Sequence, residues 1–333
     1  MTPRFIFAPE EKAQLFQLLE RSSVSPYTHY PAFSEEIKNL RHLAPPRFIT
    51  LCQEIFHERA TQQQKIHVIR NCPLDVVIPD LDPNDPVKDK YLKKTRFISE
   101  AFLELFAQLT HTPLLSYETR NQGDFFTDVI AIKKYSGQLT GFSDSELVFH
   151  NDRTAHKVRA DYITLLGLRC PEDDLIYTGY IDGVDIVSHL DPVHIDYLRH
   201  PHFLTTFDVF SRDMNKQLST SEKHPILSNS HSIRYLDTMT YVAPEAPLEA
   251  RDAFIAFKHA MTRSQCKRHR ILTGDLLTFA NQDGLHNREK IDILNPQNAT
   301  SRWLLKTYAF KDLPTADSYK PFWSNNRAGC VID

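Results

Sequence analysis

Around residue 114 the sequence changes from helical to strand-like patterning, and that change limits the folds open to it. Before it, apolar residues recur at helical spacing. Leu15, Phe16, Leu18 and Leu19 follow Pro9, which suits a first helical turn. Ser34, before Glu35 and Glu36, reads as an N-cap, and Phe48, Leu51, Ile55 and Phe56 suggest a helix after Pro45-Pro46. Lys65–Arg70 alternates like a half-buried strand, and Asp80–Pro86 is a loop broken by Asp-Pro pairs. Phe97, Ile98, Ala101, Phe102, Leu105, Phe106 and Leu109 predict one amphipathic helix over roughly residues 90–110. After it come short apolar runs: Val129–Ile132, Tyr162–Leu168, Leu175–Ile181, His202–Phe207, one or two strands in Ile226–Leu236, Ile271-Leu272, Leu276–Phe279 and Trp303–Phe310. Helical patterns interrupt them at 185–198 and at Pro247–Met261. No repeat or linker divides the chain. The expectation is an α+β fold of one domain, residues 1–333: a mainly helical flank over 1–113, and a double-stranded β-helix (jelly roll) core over 114–312 with a helical insertion at 185–198.

Composition excludes several classes. The net charge of −3 carries no electrostatic footprint for nucleic acid or an anionic membrane. No apolar run approaches the roughly 20 residues that span a bilayer. Five cysteines, widely spaced and without Cys-x-x-Cys, argue against a disulfide framework or a zinc ribbon and fit a reducing compartment. Met1–Phe5 opens no signal-peptide pattern, so a soluble cytoplasmic enzyme is expected. The 9 glycines form neither Gly-x-Gly-x-x-Gly nor Gly-x-x-x-x-Gly-Lys, which removes the two commonest nucleotide-binding motifs.

The chemistry-bearing stretch is Val148-Phe149-His150-Asn151-Asp152. An imidazole and a carboxylate on one face of an extended segment can take adjacent positions on a metal. The best candidate for a third ligand is His286, after the strand-like run Asp275–Ala280. Two imidazoles and a carboxylate, with positions left over, are the facial set of non-haem Fe(II) oxygenases. Those that use 2-oxoglutarate need a fixed cation for its far carboxylate. Arg302, heading the last apolar run, offers a bidentate fork. Lys306, four residues on, shares its strand face and would add positive charge for carboxylates. His156, His189, His194, His200 and His202 read as bystanders.

Phe149-His150-Asn151-Asp152, then Arg159-Ala160-Asp161-Tyr162, Leu165 to Leu168-Arg169, Gly274-Asp275-Leu276-Leu277, His286 with Arg288, and Arg302-Trp303-Leu304 together resemble the clavaminate-synthase-like branch of the Fe(II)/2-oxoglutarate oxygenases, in the taurine-dioxygenase superfamily. That branch includes hydroxylases of free amino acids. The resemblance covers roughly residues 95–310. It departs at Asp152, where many members of the branch carry Glu. The resemblance implies iron on His150, Asp152 and His286, with O2 and 2-oxoglutarate as co-substrates. Arg302 and Thr178 would hold 2-oxoglutarate, and Gln138, Asp237 and Lys306 would face the substrate. The implied reaction hydroxylates a free amino acid, lysine or arginine if Asp237 meets a basic side chain, and releases succinate and CO2. The alternatives are a hydroxylase of a small dicarboxylate such as glutarate, and a non-catalytic metal-binding jelly roll. The partner is a small molecule, and the oligomeric state is left open.

Overall fold

The structure is a computed structural model that describes residues 1–138, 140–173, 175–217, 219–290 and 301–332. Its strands are β1 (Phe5–Ile6), β2 (Ile66–Arg70), β3 (Leu114–Tyr117), β4 (Thr127–Ile130), β5 (Leu147–His150), β6 (Tyr162–Arg169) and β7 (Thr178–Asp182). They continue as β8 (Phe203–Thr205), β9 (Thr240–Val242), β10 (Cys266–His269), β11 (Leu276–Ala280), β12 (Gly284–Arg288), β13 (Trp303–Ala309) and β14 (Cys330–Val331). A large sheet runs β1-β2-β11-β6-β13-β3-β14, with β4 also on β13, and a smaller one runs β10-β7-β12-β5. Both are antiparallel except where β1 meets β2 and β14 meets β3. An antiparallel pair, β8 with β9, stands apart.

The central strand β6 explains the layering. Its Ile163 and Leu165 pack with Tyr180 of β7, Leu277 and Phe279 of β11, and Leu304 and Tyr308 of β13, so these residues fill the space between the two sheets. Its Leu166 and Leu168 point the other way, into a second core with Trp303 and Leu305. Alternate side chains of a strand leave opposite faces, so a strand covered on both sides reads as a continuous apolar run. The outer cover comes from helices α1 (Pro9–Leu19), α2 (Tyr30–Leu40), α3 (Pro46–Ala60), α4 (Pro86–Lys93) and α5 (Ile98–Leu109). Of these, α1, α2, α3 and α5 supply Leu15, Phe33, Phe48 and Phe102 to that core.

Several local expectations change. The single helix over 90–110 is two, α4 and α5, separated by an extended Lys94. Ser34 is no cap: Pro31 sits in the first turn of α2, and the Ser34 hydroxyl instead donates to Glu104 at 2.6 Å. β2 is buried on both faces rather than half-buried. Residues 226–236 form only isolated bridges, and Ile271-Leu272 lies outside any strand. Helices Gly183–Ser188 and Pro192–Leu198 occupy the predicted insertion. Among the described residues, no helix is long and apolar enough to cross a membrane.

Candidate metal centre

Strand register brings the two histidines together. On β5 and β12, His150 stands directly opposite His286, and their ring centroids are 4.2 Å apart. Cross-strand partners share a sheet face, so both imidazoles enter the space between the sheets. His150 Nδ1 lies 2.7 Å from the Val148 carbonyl, which can only accept. Nδ1 is the donor of that bond, which leaves Nε2 as the ring nitrogen that faces the site. Asp152 Oδ1 lies 3.1 Å from His150 Nε2 and 3.4 Å from His286 Nε2. Ligand atoms of all three residues fall within 4.8 Å of one another.

The residue between the two ligands fixes the turn that presents Asp152. Asn151 points the opposite way, donating through Nδ2 to the carbonyls of Asn281 and Gly284 and accepting the Tyr235 N–H at 2.8 Å. Asn281 in turn accepts the Asp152 N–H at 2.8 Å and donates to the Ala160 carbonyl at 2.9 Å. The two asparagines thus tie the ligand loop to the start of β12, close to His286. Both were missed as site residues by the sequence reading, although Asn151 stands inside the ligand motif.

Asp152 is a divided carboxylate. Oδ1 meets the imidazoles, while Oδ2 accepts from Lys306 Nζ at 2.6 Å and from the Tyr308 hydroxyl at 2.8 Å. Burial alone would raise its pKa. The Lys306 charge and the two imidazoles outweigh burial and hold it well below the usual carboxylate range. Burial and the neighbouring His150 push His286 down to about 4, so it is neutral near pH 7. Lys306 is the strained member of its pair. Burial, with Arg120 and Arg153 nearby, pulls it to about 8 despite the carboxylate it touches. The set fits a divalent transition metal: two imidazoles and one anionic oxygen converge, and each is oriented by a second hydrogen bond or a strand.

A cavity opens from this centre. It is lined by His150, Asp152 and His286, and by the cations Arg120, Arg153, Arg288, Arg302 and Lys306. Thr178 also lines it, directly across the β7–β12 ladder from Arg288. Arg288 donates to the carbonyls of Ser143 and Ser145 at 2.6 and 2.7 Å. Burial and the adjacent Arg302 lower its pKa to about 9. Arg153 has a left-handed φ of 63° and lays its guanidinium over Tyr117, 4.0 Å from the ring centroid. Its Nη1 donates to His156 Nε2 at 2.8 Å. His156, read as a bystander, therefore lines the cavity as a neutral acceptor.

The structure separates the proposed substrate residues. Lys306 faces the cavity. Gln138 is not among the lining residues, and its amide donates to the Lys134 carbonyl at 3.3 Å. Asp237 is likewise outside the lining: its Oδ1 accepts from Lys258 Nζ and from the Tyr235 hydroxyl, both at 2.7 Å. An aspartate near the end of β5 in space need not face the same way as the ligands, and sequence carries no signal for that orientation.

No family model matches the chain, and no curated protein matches it in sequence. Solved structures do match, end to end. Asparagine oxygenase, solved with Fe(II), 2S,3S-3-hydroxyasparagine and succinate, superposes with a TM-score of 0.80 at 17% identity, covering 99% of each chain. The non-heme iron oxygenase OrfP, solved with Fe, succinate and (3S)-hydroxy-L-Arg, gives 0.79 at 20% identity over 99% of this chain and 100% of that one. OrfP with Fe and alpha-ketoglutaric acid gives 0.78 at 20% identity over 98% and 99%. The chain has their fold. Helical flank, paired sheets and insertion all lie within the matched length.

Proposed function

We propose that this chain is an Fe(II)- and 2-oxoglutarate-dependent hydroxylase of a small, carboxylate-bearing molecule. The carrying observation is the convergence of His150, Asp152 and His286 at a cavity whose other charged walls are mostly cationic. The fold it shares with asparagine oxygenase and OrfP, which bind iron and act on free amino acids, supports the same reading. On it, the two facing sheets are the halves of one jelly roll in a single domain. An iron ion held by the three ligands would supply the oxygen chemistry that converts 2-oxoglutarate to succinate and CO2 while the substrate gains a hydroxyl.

The chain's own part is positioning. Arg302, with Thr178 and Arg288 beside it, offers the subsite for the far carboxylate of 2-oxoglutarate. Lys306 and Tyr308 keep Asp152 anionic and turned so that one oxygen meets the imidazoles. Leu165, Phe279 and Leu304 give the cavity an apolar floor that limits water near the reacting atoms.

Two substrate readings differ in charge. A basic amino acid requires an acidic wall, and Asp237 is engaged by Lys258 away from the cavity. Among the described lining residues, the carboxylates are Asp152 and Asp208, and Asp208 caps the helix Val209–Met214. The cavity charge therefore favours the dicarboxylate reading. An iron-supplemented succinate-release assay with 2-oxoglutarate, run against free amino acids and dicarboxylates, tests the proposal. Substrate-stimulated succinate with a product heavier by one oxygen supports it. Bound iron without any 2-oxoglutarate turnover would sink it and leave a metal-binding protein.

A further inference from the structure

Arg120 and Arg153 are the cavity cations that the reading above leaves without a task. Arg120 follows β3, and its backbone is held by two bonds: its N–H donates to the Tyr117 carbonyl and its carbonyl accepts the Gly123 N–H, both at 2.9 Å. The residue is 7% exposed and lines the cavity. Its guanidinium carbon lies 4.8 Å from the centroid of Phe142 and 5.3 Å from that of Phe210. These two rings pack on each other and on Tyr135. The Nε is buried without a hydrogen-bond partner, and among the described residues no carboxylate pairs with the guanidinium.

A buried guanidinium without a counter-ion costs several kcal/mol. Aromatic faces return only about 0.5–2 kcal/mol and satisfy none of its five donors. The two rings flank the guanidinium at the cavity wall. The cavity cations also fall into two groups. Arg288 stands across the ladder from Thr178, whereas Arg120 bonds the backbone of Tyr117, the ring that Arg153 covers. One group is assigned to 2-oxoglutarate, and the other lies by Tyr117, whose ring meets that of Tyr308, the residue that donates to Asp152.

We infer that Arg120 is a substrate-binding residue that receives a carboxylate of the substrate, so that the substrate is an acid with an anionic group at that end of the cavity, a dicarboxylate or an acidic amino acid. This rests on the hydroxylase reading and narrows it. A planar fork selects a carboxylate over an amide or an ammonium by charge and by bidentate geometry.

The test is an anaerobic titration of the protein loaded with Fe(II) and 2-oxoglutarate. The readout is perturbation of the charge-transfer absorption of the iron-bound 2-oxo acid. Titrants are glutarate, L-glutamate and L-aspartate against L-lysine and L-arginine. At least one acid should bind, its Kd rising at least about tenfold in Arg120→Gln, about 1.4 kcal/mol. Arg120→Lys, which keeps the charge and loses the fork, should fall between. Binding of lysine or arginine but of no acid overturns the inference, as does an acid Kd within about twofold in Arg120→Gln or the failure of every titrant. Absence of the charge-transfer absorption in the unaltered protein overturns the hydroxylase reading instead. Calorimetry of the metal-free chain with glutarate then decides Arg120 by itself: a tenfold loss in Arg120→Gln supports the anion site, and equal affinities overturn it.

Discussion

The Nζ of Lys306 lies 2.6 Å from Oδ2 of Asp152, the carboxylate oxygen opposite the one that meets the imidazoles. The Tyr308 hydroxyl shares that oxygen at 2.8 Å. Outer partners of a metal ligand set its orientation, and losing one typically lowers metal affinity or activity about 10–100-fold. Tyr308→Phe removes only the hydroxyl and leaves the ring against Tyr117. We expect about tenfold weaker Fe(II) binding, read by anaerobic titration. Unchanged affinity would show that Lys306 alone holds the carboxylate.

Removing the metal should stop 2-oxoglutarate consumption, with recovery on adding Fe(II) and none on adding Zn(II), which has no redox chemistry. Asp152→Ala should lower iron-dependent succinate release by at least about a thousandfold. It strips away the anionic ligand and leaves the buried Lys306 unpaired. A variant retaining a tenth of the activity would argue against Asp152 as a ligand.

Asp237→Ala should change the substrate KM by less than about twofold, because its carboxylate is bonded to Lys258 and Tyr235 and lies outside the cavity lining. The Lys258 side chain is 43% exposed, so the pair contributes at most about 1 kcal/mol to stability. A large KM effect on lysine or arginine would restore the basic-substrate reading.

The fold rests partly on a buried cation. Lys90 is fully buried and donates to Asp128 at 2.8 Å, and Asp128 also accepts from Trp303 Nε1 at 3.0 Å. Lys90→Met keeps the volume and abandons the carboxylate. It should cost about 3–5 kcal/mol in urea unfolding. A loss below about 1 kcal/mol would mean that Trp303 and Asn121, whose Nδ2 donates to Asp128 at 3.1 Å, suffice for that carboxylate.

His224 supplies a pH dependence away from the metal centre. Its Nδ1 donates to the Pro225 carbonyl at 2.9 Å, its Nε2 meets Thr205 Oγ1 at 2.9 Å, and burial pushes its pKa down to about 3. Unfolded, the imidazole protonates near pH 6.5. Between those values the unfolded state binds the extra proton, so stability falls as pH drops through 6.5 and keeps falling towards 3, by about 1.4 kcal/mol per pH unit. Asp124 and Asp161, raised to about 6 by burial, act in the opposite sense between about 4 and 6. The comparison is therefore between variants: His224→Gln should flatten the acid limb of urea midpoints in chelator. An unchanged slope would mean that the imidazole is charged in the fold.

The parts legible in the sequence were those written as periodicity or as local donor sets. β6 announced itself because both its faces are covered, and His150 with Asp152 because two ligands share one short extended segment. β10 was missed because Cys266, Lys267 and Arg268 are exposed on an edge strand, with no apolar face to repeat. Residues 226–236 carry strand-like apolar residues that are buried by packing against the helix Leu248–Arg263 rather than by a ladder. Arg120 lies far upstream of the ligands in a turn without periodicity, and only the closed sheets bring it to the cavity. The side on which Asp237 presents its carboxylate was equally unreadable, since it depends on a lysine from a later helix.

The His150–His286 pair belongs to strands that meet only after the chain between them has been laid down and folded back. An ion gripping both imidazoles would close that long loop as a cross-link does, and the unfolded chain has no comparable grip to offer. Iron supply and resistance to unfolding are then linked by mass action. A cell short of the metal would lose folded protein as well as turnover, so the protein's abundance would itself report iron status.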